Sequence, residues 1–320
     1  MRKILSMRLL FAILLAIPLN AQFVPGTVYI ENRSANSSLG LTGSDLWVYT
    51  AGASFATATG TPLIYQPSPL GAGHFLIPNT NTAIFERGRT VSTWDGGERF
   101  YNDPDTGIHD IFTSDADLGE IAPARFGHFL VPAGTKLIEF TPAGVVAEYN
   151  LPLAATHIDL LSDACTVLYT LGHADPNPGR VHRFNICTGA AESDFWVPTV
   201  STEYAGSVRQ TPNGNVLVAI GTAVREVTLQ GVPAHEWAFP GVTHLALTPD
   251  GHAFYAAGVD HGKADFRLYQ LDAPSDAPKL IPIGNPEMKS LLSPTEMTDL
   301  VVVAEWRAGA VSARPRAVRH

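Results

Sequence analysis

Gly144-Val145-Val146-Ala147-Glu148-Tyr149-Asn150-Leu151-Pro152 is a phrase that this chain repeats. It returns as Gly189-Ala190-Ala191-Glu192-Ser193-Asp194-Phe195-Trp196-Val197-Pro198, and again as Gly231-Val232-Pro233-Ala234-His235-Glu236-Trp237-Ala238-Phe239-Pro240. The glycines stand 45 and 42 residues apart and the prolines 46 and 42. A period in the low forties, built from short apolar runs between turns, is the spacing of a β-propeller blade. The expected fold class is therefore all-β. The phrase itself reads as the outer strand of each blade, with Tyr149, Trp196 and Trp237 packing beside their prolines.

Working outward from the phrase, a second element keeps the same frame. Thr211-Pro212-Asn213-Gly214 and Thr248-Pro249-Asp250-Gly251 are turns, each followed by an apolar run. Such a run fits a strand covered on both faces. Comparable starts fall at Ser44, Gly73, Gly127, Ala164, Gly214, Gly251 and Thr298, which average about 42 residues apart. The count favours seven blades, with six as the alternative because the first spacing is short. Gly26 to Glu31 precedes the first blade with nothing of its own to pair with. It is expected to complete the last blade, closing the ring and removing two exposed sheet edges.

The turns and phrases together resemble the streptogramin (virginiamycin B) lyase repeat. The residues that carry the likeness are Thr141-Pro142-Ala143-Gly144, then Glu148-Tyr149-Asn150-Leu151-Pro152, then the Pro249-Asp250-Gly251 turn, within residues 120–284. The pattern is also similar to NHL and SMP-30/gluconolactonase-like propellers. The resemblance implies a propeller, with metal-dependent lyase or lactonase chemistry at the channel mouth as one function class. In the lyases a Trp-Phe-Thr-Glu type strand follows the turn, where this chain has Val167-Leu168-Tyr169-Thr170 and Ala253-Phe254-Tyr255-Ala256. The Glu-Gly-Pro opening of the lactonase metal site is absent.

The frame gives each blade one equivalent position, seven residues before each start. It selects Ser37, Gln66, Glu120, His157, Ser207 and His244, with Leu291 or, after a two-residue slip, Lys289 in the last blade. Six polar residues at one repeat position, in a chain that is 45% hydrophobic, mark a candidate ligand-binding rim. Two imidazoles and a carboxylate there suit a divalent metal or acid–base work, although a wet rim gathers polar residues without any such role. His74, His128 and His252 recur before the second strand and read as turn features.

The 54 residues between the second and third starts read as carrying an acidic insertion over residues 95–120. In it Asp103, Asp105, Asp115 and Asp117 alternate before glycines, as oxygen ligands do in calcium loops, but neither loop has the glutamate at position twelve. A solvated acidic loop is the competing reading. His235-Glu236 lacks a second histidine, since Phe239 stands at its place, and no serine-nucleophile elbow or nucleotide-binding glycine loop is present.

Arg2, Lys3 and Arg8 followed by apolar Leu9 to Leu19 read as a signal peptide ending at Ala21, too short to span a bilayer unaided. One propeller domain is expected over residues 22–306 and a basic tail over 307–320, in a secreted or periplasmic monomer. Removing the three basic residues of the leader takes the net charge from −9 to −12, which argues against nucleic acid as a partner. A small molecule or a protein remains. Cys165 and Cys187 flank the Asp175-Pro176-Asn177-Pro178-Gly179 turn and are expected to form a cross-strand disulfide.

Overall fold

A computed structural model describes residues 28–36, 41–49, 62–67, 80–84, 90–94, 98–103, 107–281 and 293–302. Within 107–281 it excepts residues 115, 117, 142, 172–178, 199, 201, 202, 262, 275 and 276. The described strands group into six four-stranded antiparallel sheets. One sheet holds β1 (Val28–Asn36), β2 (Leu41–Tyr49) and β3 (Pro62–Pro67), with β24 (Ser293–Val302) paired to β1. The next runs β4 (Thr80–Ile84), β5 (Thr90–Trp94), β6 (Glu98–Asp103) and β7 (Gly107–Thr113). The third runs β8 (Ala122–Pro123), β9 (Phe129–Ala133), β10 (Lys136–Thr141) and β11 (Gly144–Asn150).

The fourth comprises β12 (His157–Leu160), β13 (Thr166–Thr170), β14 (Val181–Asn185) and β15 (Ala190–Trp196). The fifth comprises β16 (Val208–Gln210), β17 (Val216–Ala219), β18 (Ala223–Val227) and β19 (Pro233–Ala238). The sixth comprises β20 (Val242–Leu247), β21 (Ala253–Asp260), β22 (Lys263–Gln270) and the two-residue β23 (Lys279–Leu280). In the third to sixth sheets, strands follow one another in space in chain order.

The second strands explain why the apolar runs are continuous. All of β9, β13 and β17 is buried. Successive side chains of a strand face opposite ways, and here both ways lead to a neighbouring sheet. Val167 and Tyr169 of β13 join Leu130 and Leu137 of the preceding sheet, while Leu168 between them joins Val216 and Val218 of the next. Leu217 and Ala219 of β17 then join Leu245 and Phe254 of the sheet after. The core is thus a series of sandwich layers between sheets.

The repeated phrase forms the last strand of three sheets, as β11, β15 and β19. Its glycines Gly144, Gly189 and Gly231 all have positive φ, which the tight turn into the last strand requires. Most of each phrase is exposed, but Trp196 and Trp237 are buried. Trp237 meets Phe254 of the next sheet edge-on, with ring centres 5.0 Å apart.

The frame departs from the expected register at its two ends. Thr298 lies on β24, the first strand in the order of its sheet, and Ser44 lies on β2, the third strand of that same sheet. Two of the seven starts therefore share one sheet, which is why the described strands give six sheets. The acidic stretch 95–120 is not an inserted loop over its first half, because β6 and β7 pair across it. Gly73 and the leader and tail, residues 1–21 and 307–320, lie outside the described residues.

The disulfide joins Cys165 and Cys187, with Cα atoms 5.3 Å apart. The cysteines flank the β13–β14 hairpin, where the Ile186 amide donates to the Cys165 carbonyl at 2.9 Å. Replacing both with serine should lower stability by about 3 kcal/mol through the freed loop entropy of the unfolded chain. Urea unfolding of the oxidised protein against the double variant measures it. Among the described residues no helix is long and apolar enough to cross a membrane.

Candidate functional site

The leading strands β8, β12, β16 and β20 lie beside one another in turn. At their starting ends the frame positions alternate as Gly119-Glu120, Thr156-His157, Gly206-Ser207 and Thr243-His244. The alternation has a backbone cause. The Glu120 amide donates to the Thr156 carbonyl at 2.8 Å, and the Ser207 amide donates to the Thr243 carbonyl at 2.9 Å. A Cβ on Gly119 would stand 2.5 Å from the Thr156 oxygen, and one on Gly206 would stand 2.8 Å from the Thr243 oxygen. Neither sheet could approach its neighbour so closely with a larger residue there.

Two side-chain links each cross an intervening strand. Arg209, on β16, reaches over β12 to Glu120: one guanidinium nitrogen pairs with Oε1 and the other lies 3.4 Å from Oε2. Arg209 also donates to the carbonyls of Val208 and Ile158, at 2.6 and 3.4 Å. His157 donates from Nδ1 to Glu120 Oε2 at 3.2 Å. His157 and His244 meet across β16 edge to face, with ring centres 5.3 Å apart. Ser207, the residue just before β16 and between the two imidazoles, is fully buried and its hydroxyl has no hydrogen-bond partner. The Thr243 hydroxyl shares a 2.8 Å hydrogen bond with His244 Nδ1.

Burial and charge set the protonation states. Burial alone would raise the Glu120 carboxyl, but the Arg209 and His157 contacts outweigh it and hold the group at about 2. Burial pushes His244 down to about 3; the neighbouring His157 and Arg209 add to this and the Glu120 charge opposes it. At neutral pH the site therefore holds an ionised carboxylate matched by a guanidinium, beside a neutral imidazole. The carboxylate already has strong partners on both oxygens, and such an oxygen pair is a poor ligand for a hard cation.

Of the frame positions, Glu120, His157, Ser207 and His244 come together here. Gln66 does not, because it lies on β3, paired with Leu46 at the far side of its sheet from β24. Ser37, Lys289 and Leu291 lie outside the described residues, as do Asp105, Asp115 and Asp117. Asp103 ends β6, paired with Gly107. Among the described residues no three His, Cys, Asp or Glu side chains form a metal-holding group. The turn histidines pair locally: His128 with Glu139 and His252 with Asp272, each at 2.7 Å.

Sequence reasoning missed Arg209 and Thr243. The signal for Arg209 was an arginine between Val208 and Gln210 on a short inner strand, two residues past the frame position. Asp159 stands at the equivalent place on β12, and its Oδ2 accepts from the Gln210 amide at 2.7 Å, tying the two strands together.

No family model and no curated protein matches the chain. Solved structures do. A streptogramin B lyase aligns with TM-score 0.52 and 14% identity over 66% of this chain and 72% of its own. A catalytically inactive virginiamycin B lyase from Staphylococcus aureus, with quinupristin, aligns with TM-score 0.52 and 13% identity over 80% and 86%. The fold is a β-propeller. At these identities the likeness concerns the fold alone. The WD40 β-propeller domain of Doa1 also aligns, at 15% or less like the others, with 14% identity over 75% of each chain and a TM-score of 0.44. The leading strands, which pack beside one another in turn, are then the inner strands of the blades.

Proposed function

We propose that this is an exported, monomeric six-bladed propeller that binds a small molecule at the channel mouth bearing Glu120, His157, Ser207 and His244. The pairing of β24 with β1 supports a ring closed by strands from both ends of the chain. The apolar leader and the disulfide support a secreted or periplasmic location. One observation carries the binding reading: four successive inner strands each place a polar side chain in a single connected cluster. Charge within it is balanced, since Arg209 matches Glu120 and His244 is neutral. The complementary ligand is an uncharged molecule with hydrogen-bonding groups. A protein partner is the other occupant of such a face.

A second reading, a lyase acting at the same mouth, is favoured by the two lyase structures that share the fold. Quinupristin serves as a probe for both, followed by calorimetry for binding and by chromatography for conversion. Uptake without conversion, weakened at least about tenfold in His244→Gln, supports the binding module; tenfold corresponds to about 1.4 kcal/mol, a typical hydrogen-bond loss. Conversion that His244→Gln abolishes establishes the lyase instead. Binding that is unchanged in both His157→Gln and His244→Gln places the ligand elsewhere and overturns both readings.

A further inference from the structure

We infer that the Cys165–Cys187 pair is a thiol–disulfide exchange site, with Cys187 as the sulfur that meets the substrate and Cys165 as its resolving partner. It lies past the end of β12, away from His157 at that strand's start, and does not depend on the ligand cluster. The two sulfurs have unlike surroundings. Cys187 is exposed in the turn between β14 and β15, and the guanidinium of Arg125, from the preceding sheet, donates to its Sγ at 3.2 Å. Cys165 is half-buried in the turn between β12 and β13, where the Asp163 carboxylate accepts from its amide at 2.9 Å. A neighbouring cation favours a thiolate and a neighbouring carboxylate disfavours it.

Glu139, the carboxylate nearest Arg125, does not take its hydrogen bonds. Both Glu139 oxygens are bound, one by His128 and one by the Tyr149 hydroxyl, each at 2.7 Å. Arg125 Nε stands 3.8 Å from Oε1 and is buried without a hydrogen-bond partner among the described residues. A disulfide sulfur is a weak acceptor, so a guanidinium held against Cys187 is matched to the thiolate that reduction creates. Asp163 stays ionised: burial alone would raise its carboxyl, but the Thr166 hydroxyl and the amides of Thr166 and Cys165 hold it below its ordinary value. The titratable groups facing the pair are thus Arg125 and Asp163, with Glu139, His128 and Tyr149 behind Arg125.

The substrate class is a dithiol. One substrate thiolate attacks Cys187 Sγ, the bond between the cysteines breaks, and Cys165 leaves as a thiolate that takes a proton. The second substrate thiolate then attacks the substrate sulfur joined to Cys187, and Cys187 leaves as the thiolate that Arg125 stabilises. The substrate loses two electrons and two protons and becomes a disulfide; the cysteine pair gains both and becomes a dithiol.

Glutathione, mixed in defined reduced and oxidised proportions with the purified full chain, is the probe and supplies the two thiols as separate molecules. Mass spectrometry of acid-quenched samples should find glutathione on Cys187 and not on Cys165. In the reduced, unmutated chain, iodoacetamide should alkylate Cys187 with a pH midpoint below the ordinary thiol value of about 8.5, and Cys165 with one above it. Arg125→Met should move the equilibrium towards the disulfide at least about tenfold, a shift of about 30 mV. Asp163→Asn, which keeps the acceptor oxygen, should move it the other way. A disulfide that glutathione does not open, glutathione found on Cys165, equal alkylation midpoints, or an equilibrium unchanged in Arg125→Met each overturns the inference. The trapping and alkylation readings use the unmutated protein, so they decide the matter even where a variant misfolds.

Discussion

Arg209→Met should destabilise the protein by about 3–5 kcal/mol, the cost of leaving a buried charge without its partner. The side chain of Glu120 is 7% exposed and that of Arg209 18%, so water cannot replace the lost contact. Methionine fills much of the aliphatic volume of arginine, which confines the effect to charge and hydrogen bonds. The guanidinium also serves the carbonyls of Val208 and Ile158, so its removal loosens the join between β12 and β16. Adding Glu120→Gln to Arg209→Met should recover a large part of the loss, since the orphaned charge is then gone. Urea unfolding of the single and double variants, compared at constant slope, gives both numbers. A cost below about 1 kcal/mol for Arg209→Met would mean that the pair behaves as a solvated surface bridge.

The second large effect is on pH. His244 titrates near 3 in the folded protein against an ordinary value of 6.5, so below pH 6.5 the unfolded chain binds a proton that the folded one refuses. The stability this group contributes is fully present above pH 6.5 and is lost as pH falls towards 3. The loss is on the order of 5 kcal/mol. Glu120, held at about 2 against 4.5, has the same sign and loses its contribution between pH 4.5 and 2. The groups facing His244 are His157, Glu120, Arg209 and Thr243. Acid unfolding should therefore begin well above the carboxylate range. His244→Gln should flatten the curve between pH 6.5 and 4.5 while leaving the steeper fall below it.

The blade frame was legible because it rests on local chemistry. Gly144, Gly189 and Gly231 are needed by turns, and the runs at Val167 and Val216 are apolar because both faces of each strand meet a neighbouring sheet. The same frame brought Glu120, His157, Ser207 and His244 to one place. It lost its hold at the ends, where β24 and β1 come from opposite termini. A frame counted along the chain treats Ser44 and Thr298 as separate blades, and only the pairing of β1 with β24 puts them in one sheet. The acidic residues of 95–120 misled for a related reason. Their charge suggested a loop, whereas Glu98 and Asp103 begin and end a strand.

Arg209 shows what a repeat cannot reveal. Its partner Glu120 lies 89 residues away in sequence, and the two meet only because β8, β12 and β16 sit side by side. The repeat specifies where inner strands start; the side chains that differ between repeats decide what happens there.

The convergence of these strands on one buried, charge-balanced cluster is the central claim, and 15N-histidine NMR during a pH titration of the protein tests it most directly. One imidazole should stay neutral from pH 8 to about 4, and that resonance should be missing from His244→Gln. If every imidazole instead titrates near its ordinary value of about 6.5, His244 is solvated and the cluster does not exist as described.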